Sequence, residues 1–329
     1  MARTKSTAGD LHKLSETESA VLSWLQLAPE RSIKDLAKVT GHTLPAVQYA
    51  CQRLKDAGLL RRVPVVNLGS MGFQEFVVLL SVPSSAHATL SRNLLHHPKV
   101  RWFSEISGEA DYYVSFIAKS PSEAAETLDQ LRATRAGDVM AGRSLTLLLR
   151  YHLLTRGYLC SDKIKPSRLT VDCALSNSTI DKTDAQILSL LREKGDRSDR
   201  ELASALKLGQ TTFSYRVRRM QDQGIILGYY NYVSISSTQM HTTKFLIRTR
   251  GPARKHRERV LEWGEQHPRI TLVREMFGSW DYELTAELDR SGDALDLREQ
   301  ILTLFQGPEP DVSIISLLRH FHRALLPLE

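Results

Sequence analysis

Apolar side chains in the second half of the chain recur at the spacing of an α-helix. Phe213, Val217 and Met220 lie at positions i, i+4 and i+7 of the segment TTFSYRVRRMQDQG, so they share one helical face. The other faces are polar and carry three arginines. The pattern predicts an amphipathic helix over residues 211–223 that packs through one face and is solvated on the others.

Capping residues predict where this helix and its neighbour begin and end. Thr211 or Thr212 is a suitable N-cap, and Gly224 suits the left-handed turn that ends a helix. Upstream, Ser198 and Glu201 have the spacing of a capping box, which predicts another helix start. With a further amphipathic helix before them, the two form a helix-turn-helix whose recognition helix is the arginine-bearing segment.

The same core positions occur earlier in the chain. A constant difference in residue number, without a gap, superposes Val47 on Phe213, Cys51 on Val217, Leu54 on Met220 and Gly58 on Gly224. Farther along, a slightly larger difference superposes His97-Pro98 and Gly108 on His267-Pro268 and Gly278. A repeat of this length predicts the tandem duplication of a two-part unit.

After each predicted helix-turn-helix, strand and helix patterns follow in the order βαββαβ, which is the ferredoxin-like motif. We predict an α+β chain with two copies of a winged helix-turn-helix followed by a ferredoxin-like domain. The expected divisions are helix-turn-helix 11–66, ferredoxin-like domain 67–160, linker 161–179, helix-turn-helix 180–232 and ferredoxin-like domain 233–329. The linker is polar and interrupted by proline, although residues 169–171 have the composition of an edge strand.

Each ferredoxin-like unit contains a Gly-x-x-Asp-Tyr turn between its second and third strands, beginning at Gly108 and at Gly278. A helix-turn-helix followed by such a domain resembles the Lrp/AsnC family of feast/famine transcriptional regulators, and the resemblance covers nearly the whole chain, twice. It implies a DNA-binding module joined to an effector (RAM-type) domain that holds an amino acid or related small metabolite near the turn. It also implies that sheets pair between subunits, so that this chain forms a pseudo-dimer internally and a homo-oligomer, dimer or higher, with other copies.

The resemblance and the arginines together predict a double-stranded DNA interface dominated by the second module. Its residues are Thr211, Thr212, Ser214, Tyr215, Arg216, Arg218 and Arg219, with Gln48, Gln52 and Arg53 in the first module. When the two modules are superposed, Arg218 falls on Gln52, whereas Arg219 keeps a basic partner in Arg53. Because each cation lost from phosphates weakens DNA binding, we expect the first module to read a different half-site or to act chiefly as a scaffold. The alternative is that the cations remaining in the first module suffice.

The predicted effector site comprises the two turns. Its residues are Gly108, Glu109, Asp111, Tyr112, Gly278, Ser279, Asp281 and Tyr282. An aspartate beside exposed backbone donors suits the amino and carboxylate groups of an amino acid. A purely structural interpretation stays open, in which the glycines supply a positive φ and the aspartates accept backbone N–H groups.

Composition adds a mild preference for a polyanionic partner. The chain has 329 residues, a formal net charge of +7 and a pI near 9.3. Its three cysteines lack the paired spacing of a zinc site, so we predict a cytoplasmic protein without a metal or other cofactor. No apolar run reaches the roughly 18 to 20 residues that span a bilayer, so no membrane association is expected.

Two other functional classes remain open at this point. Some proteins that resemble this family pair two such units as a siroheme decarboxylase, in which histidines would serve the substrate. The histidines in question are His96, His97, His267, His320 and His322. We expect His97 and His267 to cap helix carbonyls instead, and we predict that the chain is not an enzyme. The remaining class is a corepressor-like scaffold that binds other regulators and no DNA.

Overall fold

The structure, a computed structural model, describes residues 14–132, 140–141, 145–159, 167–176, 178–233 and 240–322. The first half contains, in chain order, helices α1 (Glu16–Leu25), α2 (Ile33–Thr40) and α3 (Leu44–Asp56), strands β1 (Leu60–Val66) and β2 (Gln74–Ser81), helix α4 (His87–His96), strands β3 (Val100–Ser107) and β4 (Tyr112–Ala118), helix α5 (Pro121–Arg132), and strands β5 (Met140–Ala141), β6 (Thr146–Leu154) and β7 (Arg168–Asp172).

The second half repeats this order of elements. It contains helices α6 (Lys182–Lys194), α7 (Asp199–Ala205) and α8 (Gln210–Asp222), strands β8 (Ile226–Val233) and β9 (His241–Arg248), helix α9 (Arg257–Gln266), strands β10 (Ile270–Phe277) and β11 (Tyr282–Leu288), helix α10 (Asp293–Leu302), and strand β12 (Asp311–His322). The predicted α+β fold, with two helix-turn-helix units and two βαββαβ units, is confirmed.

Local capping agrees with the sequence at most helix ends. Ser198 and Glu201 form both hydrogen bonds of the predicted capping box, and Gly224 adopts a left-handed φ of 68° after α8. The prediction that Thr211 or Thr212 caps α8 is wrong, because the helix already begins at Gln210. Gly209 occupies the N-cap position without a side-chain hydrogen bond, so both threonines lie in the first helical turn.

A two-stranded ribbon joins the two helix-turn-helix modules. Strand β1 of the first module pairs antiparallel with β8 of the second, with Val63 opposite Tyr230 near the middle. Each module also contacts the other module's strand. The Asn231 side chain donates to the Leu25 carbonyl at 2.9 Å, and the Arg62 amide donates to Asp196 at 3.1 Å. The modules are therefore related by an approximate twofold axis through the ribbon.

Eight of the ten remaining strands close into a barrel with the order β2-β4-β3-β12-β9-β11-β10-β6. The other two, β5 and β7, pair with β2 and β6 at its edge. Strand β6 closes the ring because it pairs with β10 of the other unit and also with β2. In the same way, β12 pairs with both β9 and β3. The last strand of each unit thus pairs with a strand of its own unit and with a strand of the other. The barrel is therefore one structure built from two repeats.

Side chains alternate strictly between the two faces of the barrel wall. In β4, Tyr112, Val114 and Phe116 pack outward against helices α4 and α5, whereas Tyr113 and Ser115 point inward. The second unit packs α9 and α10 over its own strands in the same manner. The core therefore consists of two outer helix layers and a barrel interior that the two units share.

The predicted linker 161–179 is described only in part. Within it, β7 pairs with β6 at the edge of the sheet, as the composition of residues 169–171 indicates. None of the helices in the described ranges has both the length and the apolar composition needed to cross a bilayer.

Candidate nucleic-acid interface and two axial cavities

The outer face of α8 is open to solvent. Thr211, Thr212, Tyr215 and Arg218 are all exposed, and the Tyr215 side chain is 65% accessible. The opposite face packs Phe213 and Met220 into the core of the module. A helix exposed on one side and anchored on the other has the arrangement of a recognition helix in the major groove.

Two of the three predicted DNA-contacting arginines are held by the protein itself. Arg216 donates to Asp181 at 2.7 Å and to Asp184 at 2.9 Å, and Arg219 forms an ion pair with Asp184. Asp184 is fully buried, so these contacts fix α8 against α6. Ser214 also points to a neighbouring helix, where it donates to Asp199 at 2.9 Å. Arg218 is therefore the arginine of the helix that faces solvent without an ion pair among the described residues.

The first module contains a matching ion pair. Arg53 lies 3.3 Å from Glu18, which is 2% exposed, and these residues are the repeat counterparts of Arg219 and Asp184. Both carboxylates also belong to the capping box of the first helix of their module. The basic residue that the two modules share thus has a structural explanation, because it pins the recognition helix to the first helix.

The position of Arg218 is neutral in α3, although Arg53 and Lys55 are exposed farther along that helix. Gln48 and Gln52 face solvent, and Gln52 donates to Asp56 at 2.7 Å on the same helix. Tyr49, the counterpart of Tyr215, is 66% exposed. The two modules therefore share an exposed tyrosine and differ in the arginine at the position of Arg218.

The glycines of the two turns lie where the units cross. A Cβ on Gly108 would lie 2.8 Å from the Ile314 carbonyl oxygen, and one on Gly278 would lie 2.6 Å from that of Leu145. Both glycines have positive φ, 129° and 144°. In each case the obstructing strand belongs to the other unit, so the close approach requires glycine.

The aspartates and tyrosines of the turns have partners within the protein. Asp111 accepts from the Val82 amide at 2.8 Å, and Asp281 accepts from the Thr249 amide at 2.7 Å. Tyr112 hydrogen bonds to Ser91 at 3.0 Å, and the Tyr282 hydroxyl donates to the Ala253 carbonyl at 2.6 Å. These contacts lie on the helix side of the sheet or at strand ends.

The middle residues of both turns line one cavity, here called the turn cavity, of about 440 Å³. Glu109 and Ser279 line it from the two units, together with Arg248, Trp280 and Asp311. The Trp280 side chain is 4% exposed, and its Nε1 has no hydrogen-bond partner within the described part of the chain. Of the eight predicted effector residues, the structure therefore places Glu109 and Ser279 in the lining and leaves the glycines, aspartates and tyrosines outside it.

A second and larger cavity, here called the ribbon cavity, lies at the other end of the barrel and has a volume of about 570 Å³. Tyr230, Asn231 and Tyr232 of the ribbon line one side, and Gln26 and Arg192 contribute from the first helices of the two modules. Barrel strands supply the remaining wall. The ribbon cavity thus borders both helix-turn-helix modules and both ferredoxin-like units.

A network of buried charges forms the barrel side of the ribbon cavity. Glu75 pairs with Arg101 at 2.5 Å and with Arg274 at 3.2 Å. Tyr113 donates to Glu283 at 2.5 Å, and Glu283 also pairs with Lys244. These groups come from both units, so the network joins the repeats across the barrel interior.

Burial and neighbouring charges shift the pKa values of these groups. Burial opposes ionisation of Glu75, but Arg101 and Arg274 prevail and lower its pKa to about 2. Partial burial, with a contribution from Lys244, lowers the pKa of His320, although its side chain remains exposed to solvent.

The ribbon cavity is not among the sites predicted from the sequence. The barrel strands that line it alternate charged with apolar residues, as in Tyr282–Leu288 with Glu283 and Glu287. Such alternation is typical of a strand with one solvated face. Here the polar face points into the barrel.

The hydrogen bonds described for His97 and His267 with the backbone join their rings to amide groups and not to the helix carbonyls that we expected. Nδ1 of His97 accepts from the Lys99 amide at 3.3 Å, and Nδ1 of His267 accepts from the Arg269 amide at 3.2 Å. His96 does contact a helix carbonyl, that of Arg92, at 2.7 Å. Of the five histidines considered, His320 lines the ribbon cavity.

Comparisons with known families match both modules. Residues 12–67 match the MarR family model, and residues 180–226 match the model described as winged helix-turn-helix DNA-binding. Matches to helix-turn-helix models thus fall in both halves of the chain.

Curated relatives match parts of the chain. The uncharacterized HTH-type transcriptional regulator YezC of Bacillus subtilis is 34% identical over 68 residues, which cover 21% of this chain and 49% of YezC. The chain thus spans about half the length of that relative. The uncharacterized HTH-type transcriptional regulator PF1734 of Pyrococcus furiosus is 26% identical over 126 residues, covering 38% of this chain and 83% of that protein.

A solved structure matches almost the whole chain. The siroheme decarboxylase NirDL overlays with a TM-score of 0.61 and 11% identity, covering 94% of this chain and 93% of that one. Its co-complex with an iron-uroporphyrin III analogue overlays with a TM-score of 0.58. These matches contradict the prediction that the chain is not an enzyme, because a protein described as an enzyme has the same two-unit fold.

Proposed function

We propose that this protein is a DNA-binding transcriptional regulator of the Lrp/AsnC type whose two DNA-binding modules are carried by one chain. The observation that carries the proposal is the exposed face of α8, where Thr211, Tyr215 and Arg218 are directed to solvent. The opposite face of the same helix is packed into the core of the module. Matches of both modules to helix-turn-helix families and to proteins named as transcriptional regulators support it.

In this proposal the second module provides most of the DNA contact. Arg218 is free to meet a phosphate or a guanine edge, whereas its counterpart Gln52 is neutral and already bonded to Asp56. Arg216 and Arg219 support the helix from behind through Asp184. Their role is to hold the reading face in place, and Arg218 is the cation that binds.

The experiment compares DNA affinity at several salt concentrations. Fluorescence anisotropy with the DNA upstream of the protein's own gene would be measured for wild type, Arg218→Ala and Gln52→Ala. If Arg218 contacts one phosphate, its loss should weaken binding and reduce the slope of log K against log salt by about 0.9. Gln52→Ala should leave the slope unchanged. Arg290→Ala is the control, because Arg290 is an 85% exposed arginine outside both modules.

The same binding data test the asymmetry between modules. Equal affinity and equal slope for wild type and Arg218→Ala would remove α8 from the interface. No binding by the wild-type protein to any DNA would favour the scaffold alternative.

We further propose that the turn cavity holds the effector, an amino acid or related small metabolite. Arg248 supplies a cation for a carboxylate, Glu109 and Asp311 supply carboxylates for an amino group, and Trp280 supplies an indole N–H that lacks a protein partner in the described ranges. Because the two turns differ, the cavity has one orientation for an asymmetric ligand.

Tryptophan fluorescence tests this part, since Trp280 lines the cavity. Titration with the common amino acids should change the emission for at least one of them. Glu109→Gln should weaken that response, and Glu258→Gln, at a 65% exposed carboxylate on α9, should not. An absent response to every amino acid would reject the effector role.

A second candidate function is a siroheme-decarboxylase-like enzyme built from two fused units. The observation that favours it is the ribbon cavity, which combines arginines with the imidazole of His320 in a chain that overlays NirDL almost throughout. Anaerobic incubation with siroheme, followed by mass spectrometry, tests it. Loss of carbon dioxide from siroheme, reduced in His320→Ala, is the expected result for this candidate, and unchanged siroheme would reject it.

A further inference from the structure

The ribbon cavity contains more positive than negative side chains. The cations that line it are Arg101, Arg156, Arg192, Lys244 and Arg274, and the carboxylates are Glu75 and Glu287. Glu287 accepts from Arg156 through both oxygens, and Glu75 accepts from Arg101 and Arg274. The nearby Glu283 pairs with Lys244. After these pairs are formed, the cations exceed the carboxylates by two, and Arg192 is the cation that takes part in none of these pairs.

Arg192 lies on α6 and lines the ribbon cavity. In the part of the chain that the structure describes, its guanidinium makes neither an ion pair nor a hydrogen bond. Burial, with Arg101 nearby, lowers the pKa of Arg192 to about 10. Holding a partly buried cation beside another cation costs free energy, and an anion bound between them would offset that cost.

An aromatic surface lies beside these cations. Trp102 stacks on Tyr113 with ring centroids 4.7 Å apart, and the His320 ring lies 5.2 Å from Trp102 on another side. An inorganic anion would use only the guanidinium groups. A flat apolar surface next to guanidinium groups suits an organic ligand that has a carbon skeleton as well as acidic groups.

The cavity lies on the approximate twofold axis, yet its charges are not symmetric. When the repeats are superposed, Gln26 of the first unit takes the position of Arg192, and Thr271 of the second unit takes the position of Arg101. Two identical subunits would have to place the same side chain at both positions. A single chain carries a different residue at each position, and here one member of each pair is a cation.

We propose that the ribbon cavity is a ligand site, separate from the turn cavity, that binds an organic polycarboxylate; for a tetrapyrrole this rests on the siroheme-decarboxylase candidate, and for a small metabolite it goes beyond both proposed functions. One carboxylate pairs with Arg192 and another lies near Arg101, while the carbon skeleton lies against Trp102. The site borders the ribbon and both DNA-binding modules, so its occupant contacts the elements that hold those modules together.

The test is isothermal titration calorimetry of the full chain, without DNA, so that its outcome does not depend on regulator function. Two probes distinguish the source of the carboxylates: citrate represents small metabolites, and uroporphyrin III represents tetrapyrroles. At least one should bind wild type with a Kd below about 1 mM. Arg192→Gln should weaken that binding by about tenfold or more, the effect of losing one charge-assisted hydrogen bond.

The variants are chosen so that folding does not confuse the result. Arg192 forms no ion pair with the described residues, and its replacement therefore breaks none of those contacts. Arg192→Gln should fold with a melting temperature close to that of wild type. Arg192→Lys, which keeps the charge, should retain part of the affinity. Arg298→Gln is the matched control, since Arg298 is 32% exposed and lies on α10 outside the cavity.

Tightest binding by citrate would identify a small metabolite as the occupant, and tightest binding by uroporphyrin III a tetrapyrrole; either supports the site. Failure of both probes to bind wild type would overturn the proposal. Binding that is equally tight in wild type and Arg192→Gln would also overturn it, because the ligand would then lie elsewhere.

Discussion

Gly278 provides the sharpest structural test of how the two repeats meet. A Cβ at this position would lie 2.6 Å from the carbonyl oxygen of Leu145 and 3.0 Å from Cα of Thr146, both in the other unit. The substitution Gly278→Ala therefore combines two costs. One is the strain of a non-glycine residue at φ of 144°, about 1–3 kcal/mol, and the other is steric overlap with a backbone that has little room to move, about 1–3 kcal/mol. We expect a total loss of about 2–6 kcal/mol in the free energy of unfolding.

Two matched controls separate these costs. Gly228 has a positive φ of 148°, close to that of Gly278, but no atom within 4 Å of its Cβ position, so Gly228→Ala reports the backbone strain alone. Gly292 has neither feature, and Gly292→Ala should be neutral or slightly stabilising. Urea denaturation followed by circular dichroism gives the three values. The steric component is the difference between Gly278→Ala and Gly228→Ala.

A result in which Gly278→Ala unfolds no more easily than Gly228→Ala would refute the close approach between the units. If Gly278→Ala instead kept wild-type stability and lost its fluorescence response to amino acids, the glycine would serve the ligand and not the packing. The measurement therefore decides between the two interpretations of the Gly-x-x-Asp turn that the sequence leaves open.

Three further predictions concern the anchoring of α8, the buried network and the reading face. Asp184→Asn should destabilise the chain by about 2 kcal/mol in urea denaturation and weaken DNA binding, because two arginines of α8 lose a fully buried partner. The free energy of unfolding should fall as the pH drops from about 4.5 towards 2. In that range unfolded Glu75 takes up a proton, whereas folded Glu75, with a pKa of about 2, stays ionised. Glu75→Gln should flatten this dependence on pH. Tyr215→Ala should reduce DNA affinity by about fivefold to tenfold. It should leave stability unchanged, because the Tyr215 side chain is 65% exposed. Tyr49→Ala should reduce affinity less if the second module dominates, and equal losses in anisotropy titrations would contradict the asymmetry.

Periodicity and capping in the sequence were sufficient to predict most elements of this fold. The spacing of Phe213, Val217 and Met220 identifies the buried face of α8, and the Ser198 capping box identifies the start of α7. These signals are reliable because both depend on contacts within a few residues along the chain. The repeat added the two-unit plan, since core positions must recur when a fold is duplicated.

Tertiary structure decided which polar residues face solvent. Arg219 looks like a DNA contact in the sequence, but it pairs with Asp184, which lies on another helix of the module. Glu283 and Glu287 alternate with apolar residues as on a solvated strand, yet both are buried inside the barrel. A periodic pattern separates one face of a strand from the other, and it does not state what covers each face.

The candidate sites follow the same division. The turns that line one cavity could be found from the sequence, because each is a local motif that occurs once in every repeat. The ribbon cavity could not, because it exists only where β6 and β12 exchange between the units and the β1–β8 ribbon lies across the end of the barrel. Pairings between residues far apart in the chain are determined by the packing of the whole protein, and no local pattern in the sequence specifies them.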